Sequence, residues 1–141
     1  MTPDQKTLVQ ETWKMAEPNA EAVAQLFYQR LFALDPAIER LFAGSNMAAQ
    51  QGKLVQALRV AVEGLDDLDS LVPVIEDLGR RHVGYGVKAS HYDTVGAALL
   101  WTLQRGLGQA WTAETKAAWT EAYALLAGVM QPAGSSSEAA A

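Results

Sequence analysis

The chain has 141 residues, half of them hydrophobic and 19% charged, with no cysteine and a formal net charge of −5. That length suits one domain with a buried core, and the missing cysteines exclude disulfides, thiolate metal sites and a cysteine nucleophile. The acidic balance argues against nucleic acid as a partner, since phosphate binders carry a basic face.

The longest apolar stretch, around Ala122 to Met130, is far short of the roughly 18 to 20 residues of a membrane span. The opening Met1 to Lys6 has neither the apolar core nor the basic flank of a secretory signal. A soluble, cytoplasmic protein that does not enter membranes is expected.

Taken in chain order, the helix signals start at once. Thr2-Pro3 sets a cap before a first-turn proline and opens a helix predicted over 3–17, with Leu8, Val9, Thr12, Trp13 and Ala16 on one face. A second helix is predicted over 19–34. Asp35-Pro36 repeats the capped start for a short helix over 36–42, and helices over 46–64 and 69–83 follow. The next, over 90–107, begins where Ser90-x-x-Asp93 resembles a capping box. Thr112 starts the last, over 112–130, whose Ala118, Trp119, Ala122, Tyr123, Leu126 and Met130 share a face. Residues 131–141 have little to bury and read as a frayed, disordered tail, so the domain spans 1–130.

Period-2 alternation of β-branched residues is absent, so the fold class is all-α. About seven helices of unequal length, two of them very short, suit orthogonal pairwise packing better than an up-and-down four-helix bundle.

Few residues can carry chemistry. Of two histidines, His82 closes the series Leu71, Ile75, Leu78, His82 and therefore lies on the apolar stripe of its helix, with Gly84 and Gly86 ending that helix. It is either a core histidine satisfied by a backbone carbonyl or a ligand. His91, directly after Ser90 in a first turn, is expected to be wet and dispensable. Asp66, Asp67, Asp69, Glu76 and Asp77 lack the spacing of a calcium loop and read as solvated surface. Arg80-Arg81 suits a helix C-terminus. Gly84-x-Gly86 has neither the preceding strand nor the third glycine of a dinucleotide loop, and no Gly-x-Ser-x-Gly elbow is present. One inward histidine among inward aromatics, with few polar groups opposite, suits a bound haem. Without cysteine the haem would be non-covalent.

Several segments then carry a resemblance. Leu31-Phe32-Ala33-Leu34-Asp35-Pro36 running to Leu41-Phe42, Leu78-Gly79-Arg80-Arg81-His82 followed by Gly86-Val87-Lys88, and Ala117-Ala118-Trp119 with Tyr123 occur in the order and separation seen in globins. Over about residues 3–130 the chain resembles the globin family, and within it neuroglobin and the single-domain bacterial globins related to flavohaemoglobin. The resemblance implies a globin fold around a haem b pocket. His82 matches the proximal iron ligand and Phe42 the haem-stacking phenylalanine. The distal residue, 32 positions before His82, is Gln50, with Gln51 as the alternative. Leu54 is the apolar residue above the iron, Lys53 faces a haem propionate, and Tyr28 overhangs the ligand. Leu78, Val87, Tyr92, Val95 and Tyr123 complete the cofactor contacts.

The resemblance also bears on activity. Reversible binding of O₂, with NO and CO as further ligands, is the function it implies. The alternative is a haem redox enzyme, such as an NO dioxygenase, nitrite reductase or peroxidase-like protein, fed by a separate reductase. Gln50 is a poor iron ligand, in contrast to the distal histidine of neuroglobin. The Tyr28 and Gln50 pair instead resembles flavohaemoglobins, in which a tyrosine and a glutamate are linked to the proximal histidine. Tyr92 matches that tyrosine, whereas the glutamate position falls near Gly134. No counterpart of the flavohaemoglobin reductase is found in these residues.

Overall fold

The computed structural model describes the backbone of residues 1–140, and the side chains of residues 1–131 other than those at 83 and 84. Seven α-helices and four short 3₁₀ turns make up the fold, with no strand among the described residues. The tail expected over 131–141 falls almost wholly on residues whose side chains lie outside those described.

Helix α1, Pro3–Ala16, begins as its sequence dictates. The Gln5 N–H donates to the Thr2 hydroxyl (3.1 Å) and the Thr2 N–H donates to the Gln5 side chain (2.9 Å), satisfying two otherwise unpaired donors. A 3₁₀ turn, Glu17–Asn19, leads into α2, Ala20–Leu34. Asp35 caps the one-turn helix α3, Pro36–Glu39, through the Ala37 N–H (3.0 Å). The segment expected as one short helix over 36–42 is thus split, its second half being the 3₁₀ turn Arg40–Phe42.

Helix α4, Met47–Glu63, is capped by Asn46 and followed by the 3₁₀ turn Gly64–Asp66. Helices α5, Leu68–Gly84, and α6, Ala89–Leu107, come next, and α7 spans Ala113–Ala140 after the 3₁₀ turn Gly108–Ala110. No helix among the described residues is long and apolar enough to cross a membrane.

One expected start is corrected. Ser90 and Asp93 do not form a cap: α6 begins at Ala89, its N-cap is Lys88, and the Lys88 N–H donates to His91 Nδ1 at 3.0 Å. The chain leaves α5 and enters α6 within so few residues that the cap position falls two residues before Ser90. His91 is accordingly half-buried and hydrogen bonded rather than freely solvated.

The helices pack mainly in the pairs α5 with α7, α1 with α7, α2 with α6 and α2 with α4. The principal core gathers Val9, Trp13, Phe27, Leu31, Leu65, Leu103 and Trp119 from most of the chain. Inside it the Trp119 indole donates to the Thr12 hydroxyl (2.8 Å), which itself donates to the Leu8 carbonyl (2.6 Å), so both buried groups are satisfied. A second, smaller core of Ala61, Leu71 and Ile75, with Leu126, Val129 and Met130 against it, holds α5 on α7. Helices α4 and α5 are joined chiefly through the turn Gly64–Asp66 and meet close to it, where Ala61 packs with Leu71 and Ile75.

Two glycines let helices close in. A Cβ on Gly79 of α5 would run into the backbone of Met130, and one on Gly96 of α6 would lie 2.7 Å from Cε2 of Tyr123.

Candidate functional site

Away from its contact with α5, helix α4 leaves several apolar side chains without full cover. In the 17 residues of α4 only Ala61 and Val62 are buried, although Leu54, Val55 and Leu58 precede them on the packed side. These three, with Phe42, Met47, Val95 and Tyr123, stay partly buried at the margin of the principal core. A margin of half-covered apolar groups is what a flat apolar cofactor would complete.

His82 lies in the last turns of α5. It is half-buried, and its Nδ1–H donates to the Leu78 carbonyl at 2.8 Å. A carbonyl can only accept, so the proton sits on Nδ1 and the Nε2 lone pair is left for another partner. Burial holds the imidazole below its usual pKa, outweighing the Leu78 bond, and the Arg81 charge adds to the effect. A neutral imidazole with one nitrogen fixed by a carbonyl and the other free is the standard arrangement of a metal-binding histidine. Among the described residues no cluster of three or more acidic or histidine side chains gathers elsewhere to hold a metal ion.

The end of α5 fixes the His82 backbone as well. Gly86 adopts φ +87°, and the Val87 N–H reaches back to the His82 carbonyl (3.0 Å) while the Tyr85 N–H bonds Arg81 and His82 (both 3.1 Å). This is a Schellman closure in which His82 supplies the terminal acceptor. Tyr85 is 61% exposed, with its ring centroid 5.9 Å from that of His82.

Tyr28 on α2 is 8% exposed. Its ring sits edge-on to Phe27 (5.1 Å) and Phe42 (5.5 Å) and tilted on Phe32 (5.9 Å). Its hydroxyl donates weakly, at 3.4 Å, to the Gln50 carbonyl in the first turn of α4. Burial pushes the phenol up to about 12, so it remains a neutral donor at ordinary pH. The structure therefore brings Tyr28, Phe42 and Gln50 together. Gln51 is half-buried as Gln50 is, Lys53 is exposed, and Leu54 packs on the core one turn further along.

Tyr92 and Tyr123 form a third group. The Tyr123 hydroxyl donates to the Tyr92 carbonyl, and both phenols are pushed up by burial. The implied link from a tyrosine to the proximal histidine is not made here, because His82 Nδ1 is already held by Leu78. Leu78 and Val87 are half-buried beside His82 in sequence. An open cleft of about 530 Å³ lined by Phe32, Pro36, Glu39, Arg40, Phe42, Ala43 and Met47 shares Phe32, Phe42 and Met47 with the residues described above.

Sequence reasoning passed over Gly96, which admits the Tyr123 ring, and the cap made by His91. A lone glycine deep in a helical pattern was the available sign of the first. For the second, the sign was an acceptor side chain three residues after Lys88.

The chain is similar to known proteins. The family model named Globin matches residues 25–130. The chain is 36% identical over 134 residues to a flavohemoprotein of Bordetella parapertussis, covering 92% of the chain but 33% of that protein. It thus spans about a third of the length of the flavohemoproteins it matches. It is 33% identical over 138 residues to neuroglobin of Tetraodon nigroviridis, covering 89% of the chain and 87% of that protein. Among solved structures, a bacterial globin from Campylobacter jejuni superposes with a TM-score of 0.82 at 24% identity, over 96% of this chain and 97% of that one. A hexacoordinated heme protein from an anhydrobiotic tardigrade gives a TM-score of 0.88 at 18% identity, over 95% of both chains. With the Globin model matching most of the chain and a neuroglobin 33% identical and covered to 87% of its length, the chain belongs to the globins.

Proposed function

We propose that this globin holds one non-covalent haem b through His82 and binds O₂ reversibly, with NO and CO as further ligands. The observation that carries the reading is the state of His82. Its Nδ1–H is fixed by the Leu78 carbonyl, its Nε2 is free, and burial keeps it neutral. Ferrous haem supplies, when bound, an iron site to which a diatomic gas can attach.

The chain's own residues would do the rest. Leu78 sets the tautomer and ring orientation of the ligand histidine. Phe42, Leu54, Val87, Val95 and Tyr123 offer apolar cover for the macrocycle, and Lys53, exposed on α4, suits a propionate. Tyr28 offers a neutral phenol held near Gln50 at the first turn of α4, where Gln50 provides a second polar side chain.

The same histidine bears on the alternative of NO oxidation with electrons from a separate reductase. The Tyr28 and Gln50 pair favours that reading, but the acceptor on His82 Nδ1 is a neutral carbonyl rather than a carboxylate. A neutral acceptor raises imidazole basicity less and gives less electron push on the iron. Reversible binding is therefore preferred.

Absorption spectra of the oxidised, reduced and CO-bound protein test the proposal. A Soret band that shifts with CO, and reversible O₂ uptake on gas exchange, are expected. Absence of a Soret band after haem addition would remove the reading. Fast NO consumption under air with NADH and no added reductase would replace it with the enzymatic one.

A further inference from the structure

We propose that His91 is a positioning residue for His82, acting through the corner that joins α5 to α6. This rests on the reading of His82 as the haem ligand.

Only Tyr85 to Lys88 separate the two helices, and a hydrogen bond holds each end of that link. At one end the His82 carbonyl accepts the Val87 N–H at 3.0 Å. At the other, the very next amide, that of Lys88, donates to His91 Nδ1 at 3.0 Å, while the His91 N–H donates back to the Lys88 carbonyl at 3.0 Å. The two ties lie on consecutive residues, 87 and 88, whose amides belong to adjacent peptide planes hinged at the Val87 Cα. Release of Lys88 frees the plane that carries the Val87 carbonyl, and with it ψ of Val87, so the hinge that presents the Val87 N–H to His82 is no longer held from its far side.

The corner has little else to hold it. Gly86 sits at φ +87°, in the region glycine adopts freely, and Tyr85, Gly86 and Lys88 are exposed. Besides the ties to His82 and Arg81, the imidazole of His91 is the side-chain acceptor recorded at the corner among the described residues. The tie needs an acceptor at Nδ1, so the proton of the neutral ring lies on Nε2. His91 thus uses the opposite tautomer to His82.

The chain contains its own control for the chemistry. At α1 the residue in the same position relative to its cap is Gln5, and its side chain accepts the Thr2 N–H at 2.9 Å. Glutamine in place of His91 should therefore restore the acceptor, and leucine should not.

Two measurements on His91→Leu and His91→Gln decide the matter. In the haem-free chain, amide hydrogen exchange at both Val87 and Lys88 should accelerate about five- to ten-fold in His91→Leu, the effect of losing one hydrogen bond. His91→Gln should return both to the wild-type rate. In the haem-loaded ferrous protein, the iron–histidine stretching band should move in His91→Leu and return in His91→Gln. Acceleration at Lys88 alone, with Val87 and the stretching band unchanged, would show that His91 only caps α6 and would overturn the proposal. Failure of His91→Gln to restore Val87 would overturn it too. If the wild type takes up no haem, the reading of His82 fails, while the exchange rates still decide whether the corner transmits.

Discussion

The Tyr28 hydroxyl lies 3.4 Å from the backbone carbonyl of Gln50, a separation at which a phenol is aimed but hardly held. A neutral donor with so loose a partner can turn toward a stronger acceptor. O₂ on ferrous iron gains negative charge and CO gains much less, so the phenol should discriminate between them. A hydrogen bond to a charged group is worth roughly 1.5–3 kcal/mol, or about 10- to 100-fold in rate or affinity. Tyr28→Phe should speed O₂ dissociation by that factor and leave CO dissociation nearly unchanged in stopped-flow measurements. Equal effects on both gases would make the tyrosine purely structural.

His82 should be indispensable for haem. Substitution by glycine removes the imidazole and, with it, the Leu78 bond. His82→Gly should lose the Soret band or transfer haem rapidly to a scavenging apoprotein. Free imidazole at millimolar concentration should recover much of the spectrum, which a general folding defect would not allow.

Alkaline pH offers an independent measure of the buried phenols. Tyr28 ionises at about 12 in the fold against 10.0 for the free phenol. The folded state keeps its proton where the unfolded state has lost it, so stability falls as pH rises from 10 towards 12. The two-unit gap corresponds to about 2–3 kcal/mol. Urea unfolding of the haem-free chain from pH 9 to 12 should show this loss, and Tyr28→Phe should flatten it. Tyr123, also pushed up by burial, should contribute a further part that Tyr123→Phe removes. An identical pH slope in wild type and Tyr28→Phe would count against the burial of this hydroxyl.

Gly79 should tolerate nothing larger. A methyl group there meets the Met130 main chain, which cannot rotate aside as a side chain can. Gly79→Ala should lower unfolding stability by about 1–3 kcal/mol, the usual effect of overpacking. Gly52→Ala, in α4 with open space around its Cβ position, should raise it by about 0.5–1 kcal/mol through helix propensity alone. Both are read from denaturant midpoints at constant slope.

The legibility of this protein in its sequence follows the range of each interaction. Thr2, Asp35 and Thr112 cap helices as their local pattern predicts, because a cap involves residues two or three apart. The inward direction of His82 was legible for the same reason, set by the helical spacing from Leu71 and Ile75. The Ser90 cap was misplaced because the abrupt exit from α5, rather than the local motif, decides where α6 starts. The meeting of Tyr28 with Gln50 spans 22 residues, and nothing in the periodicity of either helix reports it. The family resemblance supplied that pairing. Gly79 and Gly96 were equally silent, since their partners lie on α7 and only the packed fold reveals what a side chain there would strike.

The unequal division of the core has a consequence for the order in which the molecule comes apart. Helix α5 contributes Leu71 and Ile75 to the smaller cluster, with Ala61 of α4 as its third buried member, whereas α1, α2, α6 and α7 share the larger assembly around Trp13, Phe27 and Trp119. Local opening follows the weakest set of apolar contacts. In the haem-free chain α5 should therefore be a separate unit of lower stability, exchanging its amides and admitting proteases well before the rest. His82, the proposed haem ligand, would then sit on the first segment to detach, so that taking up haem and completing the fold would become one event.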